Sequence, residues 1–263
     1  RNNAAGEYYL TDLVEFASTR QYQIGSTQTQ EKEILGANNK QELGDLYRAL
    51  VALNIASAKR KGAIFKDEST CYVEGPLKVG QDVKIGNNVT IKGKVTLGNN
   101  VSIGSNTVLF NTNIGDETII KEFCSVENST IAKNAEVGPF ARLRDGAILS
   151  NKTKIGNFVE IKKSTIGAGT KANHHAYLGD ATVGKKANVG AGTITCNYDG
   201  KEKHKTIIED ESFIGTNSSL VAPIKIGKRS YIAAGSVITS DVPSDSLAFG
   251  RSRQKTKKHR KKK

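Results

Sequence analysis

From Val79 onward, aliphatic residues recur at every sixth position: Val79, Ile85, Ile91, Leu97, Ile103 and Leu109. With occasional five-residue steps the series continues through Ile114, Ile131, Leu149, Ile166 and Val183 to Thr195, then resumes from Ile208 to Ile238. A small or β-branched residue often stands four places later, as at Val83, Val101, Ala141, Ala176 and Ser218. A six-residue step fits neither the 3.6-residue period of a helix face nor the two-residue period of a half-buried strand. It is the period of a parallel β-helix, in which three hexads close one coil and each hexad supplies a short strand and a turn. The aliphatic and the small residue then point inward. Gly, which often follows the aliphatic position (Gly80, Gly86, Gly104, Gly215), or Asn is expected to accept the corner geometry.

Ahead of this repeat, "KQELGDLYRALVALNIASAKRKG" sets Leu43, Leu46, Tyr47, Leu50 and Leu53 at helical spacing. Asn38, with Gln41 three places on, reads as the helix N-cap. The pattern predicts an arm-like linker helix within residues 38–62 and a solenoid over residues 63–250. Residues 1–37 hold fragments too short to fold alone, and residues 251–263 form a basic tail.

Composition narrows the picture. With 37% hydrophobic residues, no Trp and 6% aromatics, the core has to be built from Val, Ile, Leu and Ala. No apolar run approaches the ~20 residues of a membrane span. Cys71, Cys124 and Cys196 are widely spaced without a CxxC pair, which predicts reduced thiols and a cytoplasmic protein. The chain opens at Arg1 and contains no Met, so a fragment or a processed product is expected. The formal charge is +13, and residues 255–263 carry seven of those charges, leaving +6 on the rest. No aromatic is interleaved in that run to stack on bases, so a solvated tail is expected and no nucleic-acid partner. The residual +6 suits small anionic substrates.

The repeat also acts as a ruler, because residues of equal phase one coil apart lie on top of one another. Arg144 falls directly beneath Lys162, two cations whose repulsion an intervening phosphate would turn into a clamp. Glu160 and Tyr177 share a phase, so Tyr177 is placed to offer its hydroxyl to the same anion. His174 and His175 stand at a corner. The column through His174 reads Asn157, His174, Ala191, Thr216, Ala234 once residues 196–206 are counted as a loop. Small residues over a histidine leave a groove with backbone amides along it, shaped for a long, thin, amide-bearing ligand such as pantetheine. His175 has no such column and reads as structural. The loop, "CNYDGKEKHKT", brings Asn197, Tyr198, Lys201, Lys203, His204 and Lys205 out of the repeat.

The motifs "VGPFARLRDG", "IGNFVEIKKSTIG", "GTKANHHAYLGDATVG" and "NVGAGTITCNYDGKEKHKT" resemble one bacterial family closely. They are similar to the acetyltransferase domain of the bifunctional glucosamine-1-phosphate N-acetyltransferase / N-acetylglucosamine-1-phosphate uridyltransferases. Upstream, "NNAAGEYYLTD" and "GANNKQEL" resemble the end of the uridyltransferase domain. The resemblance implies a left-handed parallel β-helix of hexapeptide repeats, an all-β solenoid preceded by a helical arm and a remnant of an α/β nucleotidyltransferase domain. It implies acetyl transfer from acetyl-CoA to the 2-amine of glucosamine 1-phosphate, in a homotrimer with sites between neighbouring subunits. On that reading His174 is the general base, with Glu160 as a partner for the imidazole. Arg144, Lys162, Tyr177, Asn188 and Asn197 surround the sugar phosphate. Ala191, Asn197, Tyr198, Thr216, Ala234 and Arg251 bind acetyl-CoA, with Thr216 standing where Ser is expected. Asn38 matches a residue binding Mg²⁺ in the uridyltransferase half, whose aspartate partner is not in this chain.

Two other readings share the scaffold. A different hexapeptide acyltransferase would keep the groove and lack the stacked Arg144 and Lys162. A zinc hydratase of the carbonic anhydrase kind needs three converging histidines. His174, His175 and His204 are three, but the first two diverge at one corner.

Overall fold

The six-residue step becomes a three-sided coil. The computed structural model describes Gly6, residues 9–30 and residues 33–257. Its thirty strands, each of two to four residues, run from Ala63–Phe65 to Leu247–Ala248. Through Ser219–Val221 each strand pairs in parallel with the strand three places further along the chain, and Tyr231–Ile232 pairs with Leu247–Ala248, giving sheets of eleven, ten and nine strands. Every coil therefore rests on the one below at the strand spacing of ~4.8 Å.

The core is a set of stacked columns. Within one sheet Val126, Leu143, Ile161, Leu178, Thr195 and Leu220 follow one another in register, each no more than 1% exposed. Thr195 stands in an aliphatic position, and its buried hydroxyl is satisfied at once by the Gly179 amide (2.8 Å) and the Gly179 carbonyl (3.1 Å). The small residues four places on are buried too, including Val83, Val101, Ala141, Ala176 and Ser218.

The corners divide the work differently from the expectation. Except at Gly138 (φ 97°), the glycine after the aliphatic residue serves closeness of approach rather than a left-handed backbone. A β-carbon on Gly86 would stand 2.7 Å from the Ser105 nitrogen, and one on Gly215 would stand 2.5 Å from that of Ala234. The left-handed position falls two residues later, where Asn88, Asn100 and Asn106 have φ of 54°, 55° and 59°. Along one corner this position is filled by Phe123, Phe140, Phe158 and then His175, at φ between 44° and 58°. Bulky residues resist that region. Here their rings stack into a ladder with centroids 4.8, 5.2 and 5.0 Å apart, which offsets part of the cost.

Contacts divide the chain into Arg1–Ala49 and Leu50–Lys263. The first unit holds helix α1 (Asp12–Thr19) and the start of helix α2 (Lys40–Arg60). The cap of α2 lies one residue later than the spacing suggests. Asn39 Oδ1 accepts from the Glu42 amide at 2.9 Å, and the Glu42 carboxylate reaches back to Asn39 Nδ2 (2.8 Å) and the Asn38 amide (2.7 Å). This is a variant of the capping box, with Glu42 rather than Gln41 reaching back, to the amide one residue before the cap.

In the second unit α2 packs by Val51, Ile55 and Ala58, spaced for one face, and Asn54 Nδ2 donates to the Val73 carbonyl at 3.0 Å. The Leu43, Tyr47, Leu50 and Leu53 positions stay 39–46% exposed, so the stripe that marked the helix is not its packed face. Cys71 and Cys124 are buried and Cys196 half-buried, all as free thiols; burial pushes the Cys124 thiol up to about 11. Among the described residues no helix is long and apolar enough to cross a membrane. Residues 258–263 of the basic tail, and residues 1–5, 7, 8, 31 and 32 upstream, lie outside the described residues.

Ile161, the chain neighbour of Lys162, stacks on Leu143, the chain neighbour of Arg144, and is fully buried. Ile161→Ala should cost roughly 2–5 kcal/mol in denaturant unfolding. A loss under about 1 kcal/mol would contradict a core column that holds those residues in place.

Candidate functional site

The ladder brings the expected cations together. The strands Arg142–Arg144, Glu160–Lys162 and Tyr177–Gly179 pair so that Arg144, Lys162 and Gly179 form one column. Gly179 is where a side chain is missing for a reason. A β-carbon there would stand 2.4 Å from the Tyr177 hydroxyl, so the phenol lies across Gly179 on the same column as Lys162. Glu160 sits opposite Tyr177, and its carboxylate accepts from Arg144 Nε at 2.7 Å. Arg144 also donates to Asp145 at 2.8 Å, so this guanidinium is held, and only 23% exposed, before any ligand arrives.

A further cation joins them from the loop. Residues 196–206 form a self-supporting hairpin. Tyr198 bridges Lys203, Asp199 Oδ1 accepts from the Lys201 and Glu202 amides, and Asp199 Oδ2 pairs with His204 Nε2 at 2.7 Å. His204, then the Glu202 and Lys201 amides, hold the Asp199 carboxyl well below the usual carboxylate range. Asn197 is 7% exposed, and its Nδ2 donates to Asp180 at 2.6 Å, tying the hairpin's start to the coil below. The result is that Lys203 becomes the charged neighbour that most perturbs Lys162. Lys203 first, and Arg144 further off, push the Lys162 amine below its ordinary value. Lys203 appeared in the sequence only as one of several loop cations. The signal that could single it out is the hairpin's length, which sets where it folds back.

The second set of residues runs along another corner. Asn157 pairs with His174, and the ladder continues upward: the Gly192 amide donates to His175 O, Asn217 to Ala191 O and Gly235 to Thr216 O, at 2.7–2.8 Å. His174, Ala191, Thr216 and Ala234 therefore stand one above another, as the repeat predicts. At equivalent places elsewhere, a side chain from the next coil caps the amide below it: Ser105 Oγ for Asn87 (3.0 Å), Asn99 Oδ1 for Gln81 (2.9 Å), Asp210 Oδ1 for Lys185 (2.7 Å). The amides of Ala191, Thr216 and Ala234 have no acceptor among the described residues. Arg251 packs its Cδ 3.8 Å from the β-carbon position of Gly235, beside the top of this column. Tyr198 is 60% exposed, with its hydroxyl donating to Gly200 O at 2.7 Å.

The two histidines of the corner are held apart. His175 has φ of 44° and stacks on Phe158, while His174 Nδ1 lies 2.5 Å from Asn157 Oδ1. Glu160, expected to face the imidazole, is taken by Arg144, and Asn157 stands in that place. Asn188 lies on a different sheet from Arg144 and Lys162, opposite Lys171 and Phe213. Asn38 Nδ2 is bonded to Glu42 at 3.2 Å. Both Glu42 oxygens are engaged by Asn38 and Asn39 at the start of α2, and among the described residues no group of three or more His, Cys, Asp or Glu side chains stands together to hold a metal. His204 is bound to Asp199 in the loop, so His174, His175 and His204 have three separate partners.

With the geometry in hand, the relatives fall into line. A family model for the EIF2B subunit epsilon LbH domain matches residues 60–161, and one for the bacterial transferase hexapeptide (six repeats) matches residues 205–240. The bifunctional protein GlmU of Acinetobacter baylyi is 48% identical over 254 residues, covering 96% of this chain and 56% of that protein. That of Thermotoga maritima is 50% identical over 257 residues, covering 97% of this chain and 56% of that protein. Over this length the chain matches the C-terminal half of these GlmU proteins. It spans about half the length of the curated relatives it matches, corresponding to their C-terminal half. Its solenoid is a left-handed parallel β-helix of hexapeptide repeats.

The Lys162–Lys203 pair makes a signed expectation. Lys203→Ala should weaken binding of inorganic phosphate roughly tenfold. It should also move the alkaline loss of binding to higher pH, because Lys162 then keeps its proton longer. Calorimetric titration across pH checks both; an unchanged alkaline limb would contradict the pairing.

Proposed function

We propose that this chain transfers an acetyl group from acetyl-CoA to the 2-amine of glucosamine 1-phosphate, giving N-acetylglucosamine 1-phosphate and CoA. The observation that carries the reading is one juxtaposition: an imidazole beneath a column of unpaired amides, one strand away from a column of cations. The strand between them spans on the order of 10 Å of backbone, a gap that the Arg144 and Lys162 side chains and a sugar phosphate close together.

On this reading, the pantetheine arm lies along the groove and takes hydrogen bonds from Ala191, Thr216 and Ala234, with Arg251 and Tyr198 toward the nucleotide end. Arg144, Lys162 and Lys203 hold the phosphate, and the Tyr177 hydroxyl adds a donor. The amine lone pair attacks the thioester carbonyl carbon while His174 takes a proton from the nitrogen. The Ala191 amide donates to the oxyanion of the tetrahedral intermediate. Collapse breaks the carbon–sulfur bond, and the imidazolium returns its proton to the CoA sulfur. No acyl-enzyme is needed. Asn197 acts through the loop, since its amide is committed to Asp180.

Asn188 supports a homotrimer with sites between subunits. It lies opposite Lys171, at the other end of that strand from His174, and we assign it to the ligand held by a neighbouring copy. The longer relatives are named bifunctional, and we assign the uridyltransferase activity, with its Mg²⁺, to the part of such a protein beyond this chain. A cytoplasmic biosynthetic role follows from these substrates.

The test is CoA release with glucosamine 1-phosphate and acetyl-CoA. His174→Ala should lower kcat by roughly 10²–10⁴, whereas His175→Ala should leave it within a few-fold. Equal activity in all three proteins would refute the assignment of the base. Turnover with acetyl-CoA but no preference for the phosphorylated sugar would favour a different acceptor on the same scaffold.

A further inference from the structure

Most strands of the solenoid have two or three residues. Among the described residues, two have four: Lys154–Asn157 and Lys171–His174, which pair with each other. The added rung of that ladder is Asn157 opposite His174. The backbones also approach more closely here than at any other described glycine. A β-carbon on Gly156 would stand 1.9 Å from the Asn173 carbonyl oxygen, so only glycine fits. The His175 amide, donating to the Asn157 carbonyl at 3.0 Å, fixes the end of the rung. Backbone registration, a glycine and a left-handed corner thus converge on one contact, the 2.5 Å approach of Asn157 Oδ1 to His174 Nδ1.

We propose that Asn157 is a positioning residue that sets the tautomer of His174, keeping the proton on Nδ1 so that Nε2 is the nitrogen that accepts the substrate's proton. The chemistry is one of elimination. An amide oxygen only accepts, so the nitrogen it faces has to carry the hydrogen. A neutral imidazole has one such hydrogen, which leaves the lone pair on Nε2. A carboxylate would impose the same tautomer. It would also stabilise the imidazolium and set a negative charge against an incoming anionic substrate. The nearby carboxylate, Glu160, is instead engaged by Arg144 at 2.7 Å. An amide therefore orients the base without charging it.

The inference rests on His174 being the base of the proposed acetyl transfer, but the tautomer is readable without turnover. The whole chain, labelled with ¹⁵N-histidine, is examined by two-bond ¹H–¹⁵N correlation above neutral pH, where four histidines give four patterns. Wild type should show His174 as the Nδ1–H tautomer. Asn157→Ala should shift it toward Nε2–H, leave the His175 and His204 patterns unchanged as the folding control, and lower kcat roughly tenfold or more with KM little altered. Asn157→Asp should restore Nδ1–H and move the acidic limb of the kcat profile to higher pH. A wild-type Nε2–H tautomer, or Nδ1–H persisting in Asn157→Ala, overturns the inference. A tautomer that shifts while kcat does not would keep the Asn157–His174 pairing and overturn His174 as the base.

Discussion

Parallel pairing at a single coil spacing is the constraint on which the rest of the structure depends. A strand that hydrogen-bonds in register with the coil above and below has no freedom to slide, because a one-residue slip would turn its aliphatic side chain out to water. The buried column from Val126 to Leu220 therefore does more than fill the interior. It fixes the height of every outward residue. Arg144 is beneath Lys162, and Asn157 beneath His174, because Leu143 and Ile155 are locked beneath Ile161 and Ala172. Such a scaffold aligns chemistry along its axis, and it presents only one side chain per coil in each column.

The two columns use that alignment in opposite electrostatic ways. On one corner three cations crowd together until Lys162 yields its proton more readily than an isolated lysine, a strain that an anion relieves. On the other, the groove is almost uncharged: an imidazole bonded to a neutral amide, then small residues with open backbone donors. Separating the charged seat from the neutral base keeps the imidazole free of the carboxylates nearby. Arg144 matters to both, because by holding Glu160 it keeps that carboxylate from His174.

Much of this was legible in the sequence, and the reason is geometric. In a solenoid, sequence separation converts directly into height, so the period alone stacked Arg144 on Lys162 and Ala191, Thr216 and Ala234 over His174. What the period does not encode is which way a side chain turns. Glu160 was level with Tyr177 as expected, yet its carboxylate went to Arg144 rather than to the imidazole, a choice between neighbours made by charge. The loop escapes the period altogether, and so Lys203 stood out only once the hairpin closed on the Asp199–His204 pair. The aromatic corner was hidden for another reason. Phe123, Phe140 and Phe158 are poor candidates for a left-handed backbone one by one, and become acceptable as a stack. The α2 cap moved by one residue because Asn38 and Asn39 are chemically alike and only Glu42 reaches back to both.

The central claim is that the column above His174 is a row of backbone donors left open for a ligand. Amide hydrogen exchange, followed residue by residue with and without CoA, tests it most directly. Without ligand, Ala191, Thr216 and Ala234 should exchange fast while Gly190, Gly192, Gly215 and Gly235, whose amides are bonded in the ladder, are protected. Saturating CoA should slow those three selectively. Protection already present in the free protein, or no response of these amides to CoA, would contradict the account.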